Sequence, residues 1–228
     1  MSVHPLLLHQ YPLLRLLSPD ERETLASLAS TRDFAKREVV LTKGPPVPFL
    51  CFLSEGRLQA TDFTLDGREV GLHFIEPGDY FGELSLIDGG GQPEFVIATE
   101  RSRVILLPTQ EIRPTLFAHP QLAESLSQRL AQRVRQQLSQ RQLLAVNNPL
   151  HRICAQLKIL IPAGNETQVA IKSITHQELA IMVNLTRETV TRTFQVLQAQ
   201  GVLSRQGDTL LIDTQKLDQL SQKKSDAT

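Results

Sequence analysis

The sequence predicts an α+β chain in three parts: a barrel or double-sheet roll of short strands, one long helix, and a helix-turn-helix closed by a hairpin. Three observations predict it. Residues from about 34 to 108 hold short β-like runs between turn signals. Gln121 to Val146 contains no Gly or Pro. From about 150 to 216 the order is helix, capped helix, tight turn, helix, hairpin. The expected boundaries are 1–118, 119–146 and 147–228, and 228 residues suffice for more than one core.

The strands of the first part are "EVVLT", "FLCFLSEG", "RLQATDFTLDGREVGLHFI" and "RVILLP", with "SEG" and "LDG" as turns. Many short strands with Gly and Pro punctuation close into a barrel or a double-sheet roll. Ahead of them, "MSVHPLLLHQYPLLRLL" is apolar, but it lacks a basic leader and is interrupted by Pro5, His9, Pro12 and Arg15. That pattern predicts a packed N-terminal segment rather than an export signal. No apolar run is long enough to cross a bilayer. Cys51 and Cys154 sit in apolar runs, as buried thiols of a reducing, cytoplasmic compartment do. Lys plus Arg and Asp plus Glu both number 24, so any nucleic-acid contact must come from a local patch.

In the long helix, Leu122, Leu126, Leu130, Val134 and Leu138 recur at every fourth position among Gln, Arg and Ser. So narrow a seam on a polar helix fits a partner helix, such as the same helix of a second subunit; the alternative is a helix lying across its own barrel. Asn147-Asn148-Pro149 ends the run, as a hinge would.

In the third part, Thr175 and Glu178 form a capping box ahead of "HQELAIMV", whose apolar face is Leu179, Met182 and Val183. Asn184-Leu185 makes the turn and Thr186 caps the next helix, which docks by Val190, Phe194 and Leu197. Gly207-Asp208 is a two-residue hairpin signal. This order is a winged helix-turn-helix, whose second helix presents its first turns to the major groove of DNA. Arg187 and Arg192 can each fork onto guanine O6 and N7, and Glu188 can accept from cytosine N4. Thr186, Thr191 and Thr175 suit phosphate oxygens. The plain alternative is a solvated ion pair of little worth.

"ITHQELAIMVNLTRETVTRTFQVLQAQGVL" resembles the helix-turn-helix of the Crp–Fnr family of bacterial transcription regulators, with its Arg-Glu-x-x-x-Arg set at Arg187, Glu188 and Arg192. "IEPGDYFGELSLIDGG" resembles the phosphate-binding turn of that family's cyclic-nucleotide β-roll. The resemblance spans almost the whole chain. It implies a double-stranded β-roll (jelly roll) that senses an effector, a dimerisation helix, a homodimer on a palindrome with TGTGA-like half-sites, and RNA polymerase as a partner. It also implies an effector pocket at Gly82, Glu83, Leu84, Ser85, Arg133 and Gln137; there Glu83 either pairs with Arg133 and joins roll to helix without a ligand, or helps to hold an effector between them. Members that bind cyclic AMP carry an Arg-Ser or Arg-Thr about ten residues past Gly-Glu-Leu, and adjacent Thr and Ser on the long helix. Here "GGGQPEFVIATE" has no cation, Pro93 and Glu94 stand near the arginine's place, and Gln137 and Leu138 replace the Thr and Ser. A carboxylate repels a phosphate. The expected effector is another nucleotide, a metabolite, or none.

"GQPEFVIATE" resembles the iron–sulfur oxygen sensors of the family, but their N-terminal cysteine cluster is missing. Haem has only His73 to bind, and a lone strand histidine is the plain reading. A cupin-like metal enzyme would need a second histidine where Ile75 stands, and one imidazole does not make a metal site. No phosphate loop or nucleophile elbow appears, so an enzyme is not expected. A ligand-binding module without DNA binding is the remaining alternative, opposed by the intact Arg187, Glu188 and Arg192.

Overall fold

The structure is a computed structural model that describes residues 3–65, 67, 69–162, 164 and 166–222. The chain divides into two compact units. One runs to Phe63 and resumes from Leu72 to Arg135; the other takes Thr64–Gly71 and the chain from Gln136 onward.

The first unit opens with three short helices, α1 (Pro5–Leu8), α2 (Pro12–Arg15) and α3 (Pro19–Leu28). Each starts on a proline, where the missing N–H leaves nothing unpaired. Ser18 caps α3 in a reciprocal box: Glu21 N donates to Ser18 Oγ, and Ser18 N donates to Glu21 Oε2 at 2.8 Å. Glu21 Oε1 also lies 2.7 Å from His119 Nε2. The Ser18 backbone bond, then the Ser18 hydroxyl and His119, hold the Glu21 carboxyl down to about 2 from its ordinary 4.5. A carboxyl lowered in the folded state adds stability above about pH 4.5, and loses it as the pH falls toward 2. Glu21→Gln is expected to flatten that part of the acid-side loss, read as urea midpoints at pH 6 and pH 3.

The strands follow as β1 (Ser30–Phe34), β2 (Val39–Leu41), β3 (Phe49–Glu55), β4 (Leu58–Phe63), β5 (Glu69–Ile75) and β6 (Tyr80–Phe81). Then come helix α4 (Glu83–Asp88), β7 (Phe95–Ala98), β8 (Ser102–Pro108) and helix α5 (Thr109–Ala118). They build two four-stranded sheets, β1-β8-β3-β6 and β2-β7-β4-β5, which is the expected double-sheet roll. Strand β3 shows why "FLCFL" is apolar without alternation. Cys51 and Leu53 face the roll's inner core with Leu58, Phe81, Val96 and Val104. Leu50 and Phe52 face a second core with Leu8, Tyr11, Leu14, Leu25, Ile112 and Leu116. A strand covered on both faces reads as a continuous apolar run, and the N-terminal segment provides one of the covers. Part of the "LDG" turn, Asp66, lies outside the described residues, as does Asn165 of "NETQVAIKSI", a stretch whose sequence predicts a loop and a short strand.

Helix α6 (Pro120–Leu144) is the long helix, ending two residues before the expected Val146. Its seam is used in two ways. Leu122 and Leu126 are buried in the second core, so the first turns lie across the chain's own roll. Val134 and Leu138 are 59% and 55% exposed.

The second unit contains α7 (Pro149–Leu160), β9 (Gln168–Lys172), α8 (His176–Val183), α9 (Arg187–Ala199), β10 (Leu203–Gln206), β11 (Thr209–Asp213) and α10 (Thr214–Gln222). The hairpin turns at Gly207-Asp208, with Gly207 at φ 58°, and β9 adds a third antiparallel strand in the order β10-β11-β9. Leu179, Met182, Val183, Val190, Phe194 and Leu197 are buried, as their spacing predicts. The connection at Asn147–Pro149 is braced by side chains. Asn148 caps α7 through Leu150 N, and Arg152 Nε donates to Val146 O at 2.8 Å. Arg152 Nη1 reaches Val183 O, and Gln140 Nε2 reaches Met182 O at 2.7 Å.

Candidate functional site

Helices α8 and α9 meet through a turn that the local sequence fixes. The Thr175–Glu178 box closes the start of α8, with Thr175 N donating to Glu178 Oε2 at 2.7 Å. Asn184 ends α8 in the left-handed conformation at φ 49°, which asparagine tolerates better than most residues. Thr186 then caps α9 by accepting from Thr189 N at 3.2 Å. Burial of Val190, Phe194 and Leu197 turns the opposite face outward. On that face Arg187, Glu188, Thr191, Arg192 and Gln195 line a shallow concavity of about 390 Å³.

Arg187, Glu188 and Arg192 are all exposed. Among the described residues neither guanidinium is engaged in an ion pair. The Glu188 carboxyl is held below its ordinary value by its own backbone N–H first, then by the Thr186 hydroxyl and the two arginines. The surface therefore offers two forked donors flanking an ionised acceptor. Thr191 is partly committed: its hydroxyl donates to Arg187 O at 2.9 Å and lies 2.9 Å from His176 Nδ1. Gln195 was not singled out from the sequence, although its place one turn beyond Thr191 and Arg192 puts it on their face.

The first unit holds a second polar concentration, inside the protein. Gly82 sits at φ 81°, and a Cβ there would come 2.9 Å from Phe49 O, so the turn into α4 requires glycine. Glu83 follows, 1% exposed, and its Oε1 accepts from Arg133 Nη1 at 2.6 Å. This is the expected pair across fifty residues. Among the described residues the first unit holds buried polar atoms without a hydrogen-bond partner: Glu83 Oε2 and Arg133 Nε and Nη2 of the pair itself, and His73 Nε2, Gln59 Nε2 and Gln92 Oε1. Glu94, 9% exposed, has its carboxyl pushed up by burial first and by the Glu83 charge, against the opposing pull of Arg133. Burial, then the Arg133 and Arg129 charges, lower His73 to about 3. The 3.9 Å approach of His73 to Glu94 is therefore a contact of a neutral imidazole, not an ion pair.

Of the other expected pocket residues, Gly82 directly precedes Glu83 at the start of α4. Leu84 is half-buried and Gln137 is exposed. Ser85 is buried and lines a different cavity of about 450 Å³, with Pro46 to Phe49 and Pro108 to Glu111. No group of three or more His, Cys, Asp or Glu able to hold a metal occurs among the described residues.

Residues 31–119 match a model of the cyclic nucleotide-binding domain, and residues 151–220 match a model of the Crp-like helix-turn-helix domain. The transcriptional regulator SdrP of Thermus thermophilus is 30% identical over 207 residues, covering 87% of this chain and 97% of that protein. This chain belongs to the Crp–Fnr family. The cyclic AMP receptor protein of Thermus thermophilus is 27% identical over 192 residues, covering 84% of this chain and 88% of that protein. The structure of FixK2 from Bradyrhizobium japonicum shares the fold with a TM-score of 0.72 at 22% identity, over 84% of this chain and 96% of that one. The Crp–Fnr chain is thus a transcription regulator with a DNA-binding helix-turn-helix and a cyclic nucleotide-binding-type roll. No helix among the described residues is long and apolar enough to cross a membrane.

Proposed function

We propose that this regulator binds palindromic DNA as a homodimer, each protomer laying α9 in the major groove of a TGTGA-like half-site. The observation that carries the reading is the exposed triplet Arg187, Glu188 and Arg192 on a helix whose opposite face is locked in the core. Each fork or acceptor matched to its base is worth about 1–3 kcal/mol of discrimination. Thr175 and Thr186, at the starts of their helices, and Thr191 are the phosphate contacts of this reading. Val134 and Leu138 supply the seam for a second copy: both are more than half exposed and one helical turn apart. RNA polymerase is the further partner and the cytoplasm the compartment.

The effector of the roll is a small polar molecule other than cyclic AMP. Arg133 is already paired with Glu83, and the buried Glu94 lies close enough to feel both charges. A ligand that donates to Glu83 Oε2 and accepts from Arg133 Nη2 would satisfy the orphaned atoms of that pair. A cyclic phosphate would meet the carboxyl groups instead. The relatives that carry this roll and this helix-turn-helix are regulators, which supports a sensing rather than catalytic role.

Selection from random duplexes tests the reading. The expected product is an inverted repeat with G·C pairs under both arginines and half-site centres about 34 Å apart. Affinity should fall steeply with salt, and sedimentation should give twice the chain mass. Selected sites lacking those G·C pairs, or a protomer that remains single at micromolar concentration, would overturn it.

A further inference from the structure

His176 is the first residue of α8, and its ring touches the base-reading helix twice. Nδ1 lies 2.9 Å from Thr191 Oγ1, and the ring packs on Phe194 with centroids 4.8 Å apart. Thr191 in turn lines the concavity with Arg187, Glu188, Arg192 and Gln195. The side chain is half-buried, so it stands at the rim of the surface proposed to meet DNA. We propose that His176 is a further backbone-contacting residue of that surface, taking up a proton as it meets a phosphate. The proposal rests on the DNA-binding reading above.

The proton count follows from Thr191. A hydroxyl has one hydrogen, and here it goes to Arg187 O at 2.9 Å. Thr191 Oγ1 can then only accept from the imidazole, so Nδ1 carries the ring proton. That leaves Nε2 as the nitrogen without a protein partner among the described residues. In the neutral ring it holds a lone pair, and so does every phosphodiester oxygen. They repel. Protonation makes Nε2 a donor, keeps both Thr191 bonds, and adds a positive charge to face the phosphate. The other neutral tautomer would offer Nε2–H only by turning the Thr191 hydroxyl away from Arg187 O, loosening a backbone bond of the reading helix.

The surroundings keep the free protein in the neutral form. Burial first, then Arg205 on β10 and Arg187 on α9, hold the ring below its ordinary 6.5. On its own helix, Glu178 is turned into the capping box with Thr175 and does not face the ring. A phosphate beside His176 offsets the repulsion from Arg205 and Arg187 and raises the ring's affinity for a proton. By linkage, whatever raises proton affinity on binding DNA makes DNA affinity rise as the pH falls. Each protomer contributes at most about tenfold per pH unit, since one proton is taken up.

The test measures operator affinity of the full chain by fluorescence anisotropy from pH 5.5 to 8.5 at constant ionic strength. The wild type is expected to tighten as the pH falls across that range. His176→Gln should keep sequence preference but lose that part of the slope. His176→Arg should be tight and flat, holding its affinity at pH 8. Identical slopes in the wild type and H176Q would overturn the proposal while leaving the DNA-binding reading intact; no binding of any duplex at any pH would overturn both. If H176Q does not fold, the His176 ring proton resonance is titrated in the wild type. A pKa that rises on adding operator supports the proposal, and one that stays or falls overturns it.

Discussion

Arg187→Ala is expected to weaken binding to the selected operator by roughly 5- to 150-fold, which is the 1–3 kcal/mol of one bidentate base contact. The loss should be unequal across sequences. Against a duplex whose G·C pair under Arg187 is changed, the variant should bind nearly as well as the wild type does, because the fork that told the two apart is gone. Arg192→Ala should relax the other guanine position, and the double variant should approach the non-specific affinity. The neighbours' effects need not add, since both arginines flank the same Glu188 carboxylate. Folding is not expected to change: both guanidinium groups are exposed and the docking face of α9 is untouched. The measurement is a titration of each variant against matched and mismatched operators at one salt concentration. An equal loss on every duplex would make Arg187 a phosphate contact and would sink the assignment of base reading.

The helix-turn-helix was legible because its instructions are local. Thr175 with Glu178, Asn184 before Leu185, Thr186 at a helix start and Gly207-Asp208 between β-like runs each act within four residues, and the structure uses all of them. The roll was legible as a class but not strand by strand. Two-residue β6 and three-residue β2 are too short to show a period, and α5 carries Pro114 in its interior. The Ser18–Glu21 box is written as plainly as that of Thr175, yet it lies between apolar leucines that draw the eye to burial. The interior site was harder, because its members come from β5, α4, the segment before β7 and α6. The Glu83–Arg133 pair spans fifty residues and was reached through family resemblance. Physical chemistry alone could not foresee which polar atoms would be orphaned beside it. His176 carries no local signal of its own: its meaning depends on Thr191, fifteen residues on, which brings its ring to the recognition face.

Arg133→Met is expected to destabilise the first unit by about 3–5 kcal/mol, the cost of stranding a buried charge. Glu83 is 1% exposed and Arg133 Nη1 lies 2.6 Å from its Oε1, so removing the guanidinium leaves a buried carboxylate without its ion-pair partner. This does not mean that the pair is a net source of stability. Two charges taken out of water lose solvation that their attraction restores only in part, and replacing both by apolar groups is often neutral. Glu83→Leu combined with Arg133→Met should therefore regain most of what Arg133→Met alone loses. The two effects separate the roles of the pair: a large single cost with a small double cost means that it specifies how α4 and α6 are joined more than it stabilises them. The chain has no tryptophan, and its two tyrosines, Tyr11 and Tyr80, both belong to the first unit. Tyrosine fluorescence in urea therefore follows that unit without interference from the helix-turn-helix, and avoids treating a two-unit chain as one transition. A midpoint for Arg133→Met within about 1 kcal/mol of the wild type would show that Glu83 finds another partner or takes a proton instead. The roll and the long helix would then be held by the apolar contacts of Leu122 and Leu126, with the ion pair contributing little to their union.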